Sequence, residues 1–410
     1  MARPEALQRS LASVDVSDPS IYQGDTWRPL FAQLRREDPI HYCEGSPFGS
    51  YWSVTRYDDI FAVELDHENF SSAQELGGIQ IADQPKGQER PNFIRMDPPG
   101  HTAHRRTVAP IVAPSNLVNL EALIRQRTSD VLDALPRGET FDWVERISVE
   151  LTNMMLATLF DFPWEDRGKL TWWSDVAIAN VASPDAVVHS EPERTAELVK
   201  MGEYFRKLWD MRIKAPPTFD LVSMLAHSPA TQNLGAHEFI GTIGLLIVGG
   251  NDTTRNSMTG GLMALVENPD EFEKVRARRE LIPSLVSEIV RWQTPVLHMR
   301  RTARKDIEFG GRRIAKGDKV VMWYISGNYD EDKIERADEF IVDRARPRQH
   351  LAFGAGIHRC VGDRLAEQQL RILWEEILQR DLRFEIMGPP TRLYSNFIRG
   401  IRSLPVRIVS

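Results

Sequence analysis

The stretch Phe353-Gly-Ala-Gly-Ile-His-Arg-Cys-Val-Gly362 decides how this chain is read. It sets Cys360 behind a loop carrying Gly354 and Gly356, and just ahead of residues 361–379, where Leu365, Leu370, Leu373 and Ile377 keep helical spacing. A sulfur at the start of that helix faces free N–H groups and the positive end of the helix dipole. Both favour a thiolate, the form that a metal ligand or a nucleophile requires. The two glycines let the loop pass close to a flat ligand. A lone cysteine is, about four times in five, an inert buried residue. The neighbours change that: Phe353, Gly354, Gly356, Cys360 and Gly362 coincide by chance at well below about one in a million positions when glycine is used at ~7%.

Upstream, Ala236 to Glu267 is the longest run without proline, and Asn268-Pro269 ends it. At ~1.5 Å per residue this predicts a helix of roughly 45 Å, long enough to cross a domain. In its middle, Gly249-Gly-Asn-Asp-Thr-Thr254 sets flexible and polar residues into an apolar sequence. Such local inconsistency marks a functional site and predicts a widened helical turn. Helical periodicity dominates from His101 to Trp292. A helix over Trp27 to Glu37 and strands at 40–42 and 51–54 precede it, and further strands are expected over 307–323, around a Gly310-Gly311 turn, and over 382–409. The fold class is therefore mostly α with minor β. No repeat or linker appears, so 1–410 is read as one domain, with residues 71–95 of the Gly/Pro/Gln-rich stretch 71–99 covering a pocket.

The net charge of −7 excludes bulk attraction to nucleic acid or to an anionic membrane. Two cysteines exclude a disulfide framework and a four-thiolate zinc site, which points to a reducing cytoplasm. Cys43, in His41-Tyr-Cys-Glu-Gly, is expected to be inert. The longest apolar run, about 12 residues from Phe239 to Gly250, falls short of the ~20 that span a bilayer. No integral membrane segment is expected, and Met1 to Ser10 has no apolar leader core.

The pattern Phe-Gly-x-Gly-x-His-x-Cys-x-Gly is similar to the haem-binding signature of cytochromes P-450, without departure. The resemblance implies that family's fold, with the long helix over haem b and small β-sheets beside it. It implies that Cys360 is the thiolate ligand of the iron and that Phe353 packs against the haem. His101, Arg105, Arg301 and His358 match propionate-binding positions, as suits charged and polar donors for carboxylates. Arg300 competes with Arg301 for that role. Glu288, Arg291 and Arg344 match a buried network behind the haem. The polar break resembles the family's oxygen-activating motif, which implies catalytic roles for Thr253 and Asp252 in proton delivery to reduced dioxygen. Leu245, Val248, Leu297, Met299 and Phe397 match substrate-lining positions, and their apolar character suits an apolar small-molecule substrate.

The longer string Gly249 to Gly260 looks like the alkane and fatty-acid terminal hydroxylases of the family, although steroid- and terpenoid-oxidising branches carry similar strings. The implied reaction inserts one atom of O2 into a terminal C–H bond of a medium-chain alkane or fatty acid. The chain carries no dinucleotide fingerprint and no iron–sulfur or flavin extension. Electrons from NAD(P)H then arrive through a ferredoxin reductase and a ferredoxin, with Arg105, Arg106, Arg359, Arg364 and Arg371 as a docking face. Two rivals stand beside this reading. One is a thiol hydrolase pairing Cys360 with His350 or His358; the other is a haem-bound sensor without turnover, against which only the Asp252-Thr253 pair speaks.

Overall fold

The protein is described from a computed structural model covering Leu11 and residues 14–409. The decapeptide read above for a leader lies outside the described residues.

The helix Ala236–Glu267 organises the structure. Its C-terminus is closed by Asn268, whose backbone N–H and side-chain Nδ2 both donate to Ala264 O, and Pro269 opens the next helix, Pro269–Ala277. Helices Glu150–Phe160, Gly168–Ile178, Glu191–Arg212, Ile282–Gln293 and Asp363–Gln379 pack around it. Small residues set the closest approach. A Cβ on Gly260 would lie 2.2 Å from Gln293 Oε1, and one on Gly261 would lie 2.8 Å from Ile289 Cδ1. Any larger residue there would push Ile282–Gln293 off the central helix.

The expected widened turn is absent: the helix runs unbroken through 249–254. Its polar side chains are satisfied instead. Thr152 Oγ1 donates to Asn251 Oδ1 at 2.7 Å, and Thr253 Oγ1 donates back to Gly249 O at 2.9 Å.

The largest sheet has five strands, in the order Ile40–Cys43, Tyr51–Val54, Lys319–Trp323, His298–Ala303 and Phe70–Ser71. Tyr51–Val54 and Lys319–Trp323 run parallel; the other pairs are antiparallel. The Gly310-Gly311 turn closes a hairpin between Ile307–Phe309 and Arg312–Ile314, and both glycines have the positive φ that a tight hairpin turn requires. The strands expected after Leu382 form a three-stranded sheet with Thr140–Asp142 and a separate pair. Segment 71–99 contains only short turns beyond Ser71, and Arg300 N–H donating to Ile79 O at 2.7 Å ties it to the large sheet. Among the described residues, no single helix is long and apolar enough to cross a membrane.

Candidate active site

A cavity of about 570 Å³ opens between the central helix, residues 79–95, the strand from His298 and the Cys360 loop. The loop is shaped by its glycines. Gly354 and Gly356 have φ of +65° and +62°, and a Cβ on Gly356 would stand 2.4 Å from Glu64 O. Cys360 N–H donates to Phe353 O at 2.8 Å and closes the turn. Both Cys360 and Phe353 line the cavity, and the free surface of Cys360 opens onto it.

One part of the sequence reading is corrected here. The following helix begins at Asp363 with Gly362 as its cap, so Cys360 lies ahead of the first turn. Desolvation by the surrounding protein pushes the thiol up to about 11, with the bond to Gly362 N–H drawing it back only in part. A cation at the sulfur would favour the thiolate. No histidine activates it. Among the described residues neither His350 nor His358 hydrogen-bonds Cys360, and burial holds the two rings neutral, down to about 3 and about 2. The hydrolase rival therefore lacks its base.

Beside the loop, several polar groups have partners missing. His101 is buried with both ring nitrogens unpaired, its ring edge-on to His358 at 4.4 Å. His358 meets Ser72 Oγ through Nε2 at 3.0 Å and leaves Nδ1 unpaired. Arg105 lines the cavity and forms no ion pair among the described residues. Arg301 also lines it, its Nη2 donating to Glu64 Oε2 at 2.7 Å; the Tyr324 hydroxyl donates to the other oxygen of Glu64. Strand alternation turns Arg300 the other way, onto Asp83 Oδ1 at 2.5 Å and Leu76 O. Of the two, only Arg301 reaches the cavity.

Behind the loop, fully buried Glu288 accepts from Arg291 Nε and Nη2 at 2.8 and 2.7 Å and from Arg344 Nε at 2.8 Å. Arg291 also donates to the carbonyls of Asn328, Ala337 and Glu339, and so pins the chain that leads toward Phe353.

Leu245, Val248, Gly249, Thr253, Met299 and Phe397 also line the cavity. Asp252 does not: it is wholly buried on the far side of the helix, bonded by Ser174 and Arg255. Leu297 is a second correction. It sits between cavity-lining Val296 and His298 on extended chain, and so points the other way, into the core with Trp27, Phe31 and Trp323. The sequence reading missed Glu64, Ile79, Ile81, Arg90 and Arg95, which also line the cavity. Most lie in segment 71–99, where no periodicity says which side chains face inward.

A family model for cytochrome P-450 matches residues 193–393. Linalool 8-monooxygenase of Pseudomonas putida is 38% identical over 407 residues, 96% of this chain and 98% of that protein. Among solved structures, cytochrome P-450-153 from Novosphingobium aromaticivorans is 45% identical with a TM-score of 0.90, covering 96% of this chain and 99% of that one. CYP153D17 from Sphingomonas sp. PAMC 26605 is 49% identical, also at 0.90, covering 97% and 99%. The chain belongs to the cytochrome P-450 family. It is a monooxygenase with that family's fold, it uses haem b, and it draws electrons from NAD(P)H through redox partners.

The residues of this P-450 fit the haem. Cys360 would hold the iron, and the unpaired nitrogens of His101 and His358, with Arg105 and Arg301, would receive the two propionates. Phe353 would cover the sulfur's surroundings. When bound, the haem supplies the electron-transfer and dioxygen chemistry that no side chain here can perform. The chain itself supplies an apolar wall, a Cys360 loop closed by Cys360 N–H on Phe353 O, and the Thr253 hydroxyl at the cavity surface with its proton engaged by Gly249 O.

Proposed function

We propose that this P-450 hydroxylates a medium-chain linear alkane or fatty acid at or near its terminal carbon. The observation carrying the reading is the lining itself: Leu245, Val248, Met299 and Phe397 share the cavity with Cys360 and give it apolar surface, which holds a chain by shape. The likeness of Gly249 to Gly260 to terminal hydroxylases supports the same substrate class. A second reading, hydroxylation of a terpenoid, is favoured by the 38% identity to linalool 8-monooxygenase. Haem-spectral titration with lauric acid, octane, linalool and a steroid separates them. Shifts with the first two alone are expected, and a response to linalool or the steroid alone overturns the proposal.

A small acidic ferredoxin is the proposed electron donor. The basic face is narrower than the sequence suggested. Arg106, Arg359 and Arg364 are exposed, but Arg105 points into the cavity and Arg371 is engaged by Glu121 and Glu375. Cytoplasmic residence accords with the two unbridged cysteines.

A further inference from the structure

We infer that Arg95, with Arg90 beside it, forms an anion site in the cavity that takes the substrate's carboxylate, so that a fatty acid is preferred over an alkane. This rests on the linear-chain reading above and extends it to the polar end of the chain.

Arg95 ends the turn Phe93–Arg95, lines the cavity and is 8% exposed. Its Nη1 donates to Gln74 Oε1 at 3.0 Å and its Nη2 to Gln80 Oε1 at 2.9 Å, so its partners are neutral. Each terminal nitrogen has a second N–H available. Arg90 also lines the cavity and donates to Thr195 Oγ1 at 3.1 Å. Neither forms an ion pair among the described residues. Other cavity arginines are answered: Arg301 by Glu64, and Arg194 by Glu191 at 2.7 Å. Arg105 stands by the Cys360 loop, where the haem carboxylates would come.

Buried Arg95 has no acid paired with it, and half-buried Arg90 feels Glu191 only from beyond ion-pair distance, so together they carry a positive charge that an incoming carboxylate would neutralise. Burial, and secondarily the charge of Arg90, lower the pKa of Arg95 to about 10, still well above neutrality, so the site is cationic when substrate arrives. The pair is also held in place. Gly241 lets the central helix touch this segment directly, since a Cβ there would lie 2.3 Å from Pro91 O. Asn92 Nδ2 lies 3.4 Å from both Arg90 O and Gly241 O. A fixed, buried cation in a largely apolar cavity recognises an acid with a long tail.

The test uses the haem-loaded enzyme and spectral titration with lauric acid, methyl laurate and dodecane, for wild type, Arg95→Gln and Arg90→Gln, with haem content measured for each. The Kd for laurate should rise about tenfold or more in Arg95→Gln and less in Arg90→Gln, with that for methyl laurate unchanged and haem retained. Equal weakening of laurate and methyl laurate, or unchanged laurate binding in both variants, overturns the site. So does loss of haem from Arg95→Gln together with unchanged laurate binding in Arg90→Gln, which would assign Arg95 to the porphyrin. A wild type that binds methyl laurate and dodecane more tightly than laurate overturns the anion site alone. One that binds none of the three overturns the linear-chain reading as well.

Discussion

Asp252 and Thr253 are adjacent in the chain but face opposite sides of the central helix. Thr253 presents its hydroxyl at the cavity, donating to Gly249 O, while Asp252 is sealed between Ser174 and Arg255. Burial pushes the Asp252 carboxyl up and Arg255 opposes it. The two variants should therefore behave differently. Thr253→Ala should fold and bind haem normally but release more peroxide per NADH consumed, read as the ratio of peroxide to product. Asp252→Ala leaves buried Arg255 to Asp175 alone and takes the acceptor from Ser174, and should lose about 1–3 kcal/mol of stability in urea denaturation. Unchanged coupling in Thr253→Ala removes that hydroxyl from proton delivery.

Glu288 carries the charge of two arginines and also accepts Ile341 N–H at 2.8 Å. Glu288→Ala leaves Arg291 buried without its acid and should cost about 3–5 kcal/mol, with poor haem retention. Arg344→Ala removes only the outer partner, and a clearly smaller loss is expected. Equal losses would mean that the network acts through Arg344 rather than Arg291.

For electron delivery, Arg364→Glu and Arg106→Glu should slow first reduction by the proposed ferredoxin and flatten its salt dependence, because both side chains are exposed. Arg371→Glu should instead lower stability by placing an acid beside Glu121 and Glu375. Stopped-flow reduction at two ionic strengths distinguishes these effects. An unaltered rate in the double variant of Arg364 and Arg106 rejects this face.

How far the sequence reached depended on what each feature needed in order to be read. The 236–267 helix was legible to the residue, because proline and asparagine punctuate it. The Gly310-Gly311 hairpin was legible through its turn chemistry. The position of Cys360 relative to the next helix was not, because Gly362 rather than Cys360 caps it, a matter of local φ/ψ that composition does not encode. Leu297 was misplaced because one step along extended chain reverses a side chain, and the choice between Arg300 and Arg301 was open for the same reason. Arg95 and Glu64 carried no signal at all. Their roles arise from long-range neighbours, Gln80 and Arg301, that only the folded chain supplies.

Acid should loosen the cavity wall through His298. Its Nδ1–H donates to Asn396 O at 2.8 Å, and Nε2 accepts from Ile81 N–H at 3.2 Å, so the ring is built in as the neutral form. Burial lowers it to about 4, against ~6.5 for an unfolded histidine. Between those values the unfolded chain binds the extra proton. The stabilisation is therefore complete above about pH 6.5 and is lost as pH falls toward 4, at up to about 1.4 kcal/mol per unit for this one group. His298→Asn keeps a donor for Asn396 but does not titrate. Its stability should fall less steeply from pH 6.5 to 4.5, by up to one proton's worth of slope, in denaturation curves taken along that range.

Gly241 tests how tightly the loop over the cavity is bound to the helix beneath it. A Cβ at this position meets backbone, Pro91 O at 2.3 Å and Arg90 O at 2.6 Å, and neither can rotate away as a side-chain tip does. Gly241→Ala must part the helix from residues 90–92, at about 1–3 kcal/mol, and should weaken ligand binding because Arg90 and Arg95 move with that segment. Gly244, one turn along on the same helix, is the control. Its Cβ would meet only Met201 Cε, at an ordinary 3.7 Å, so Gly244→Ala should raise stability by about 0.5–1 kcal/mol through helix propensity alone. If both variants gain stability, the 90–92 segment is free to shift, and the cavity's polar end is not held by the helix.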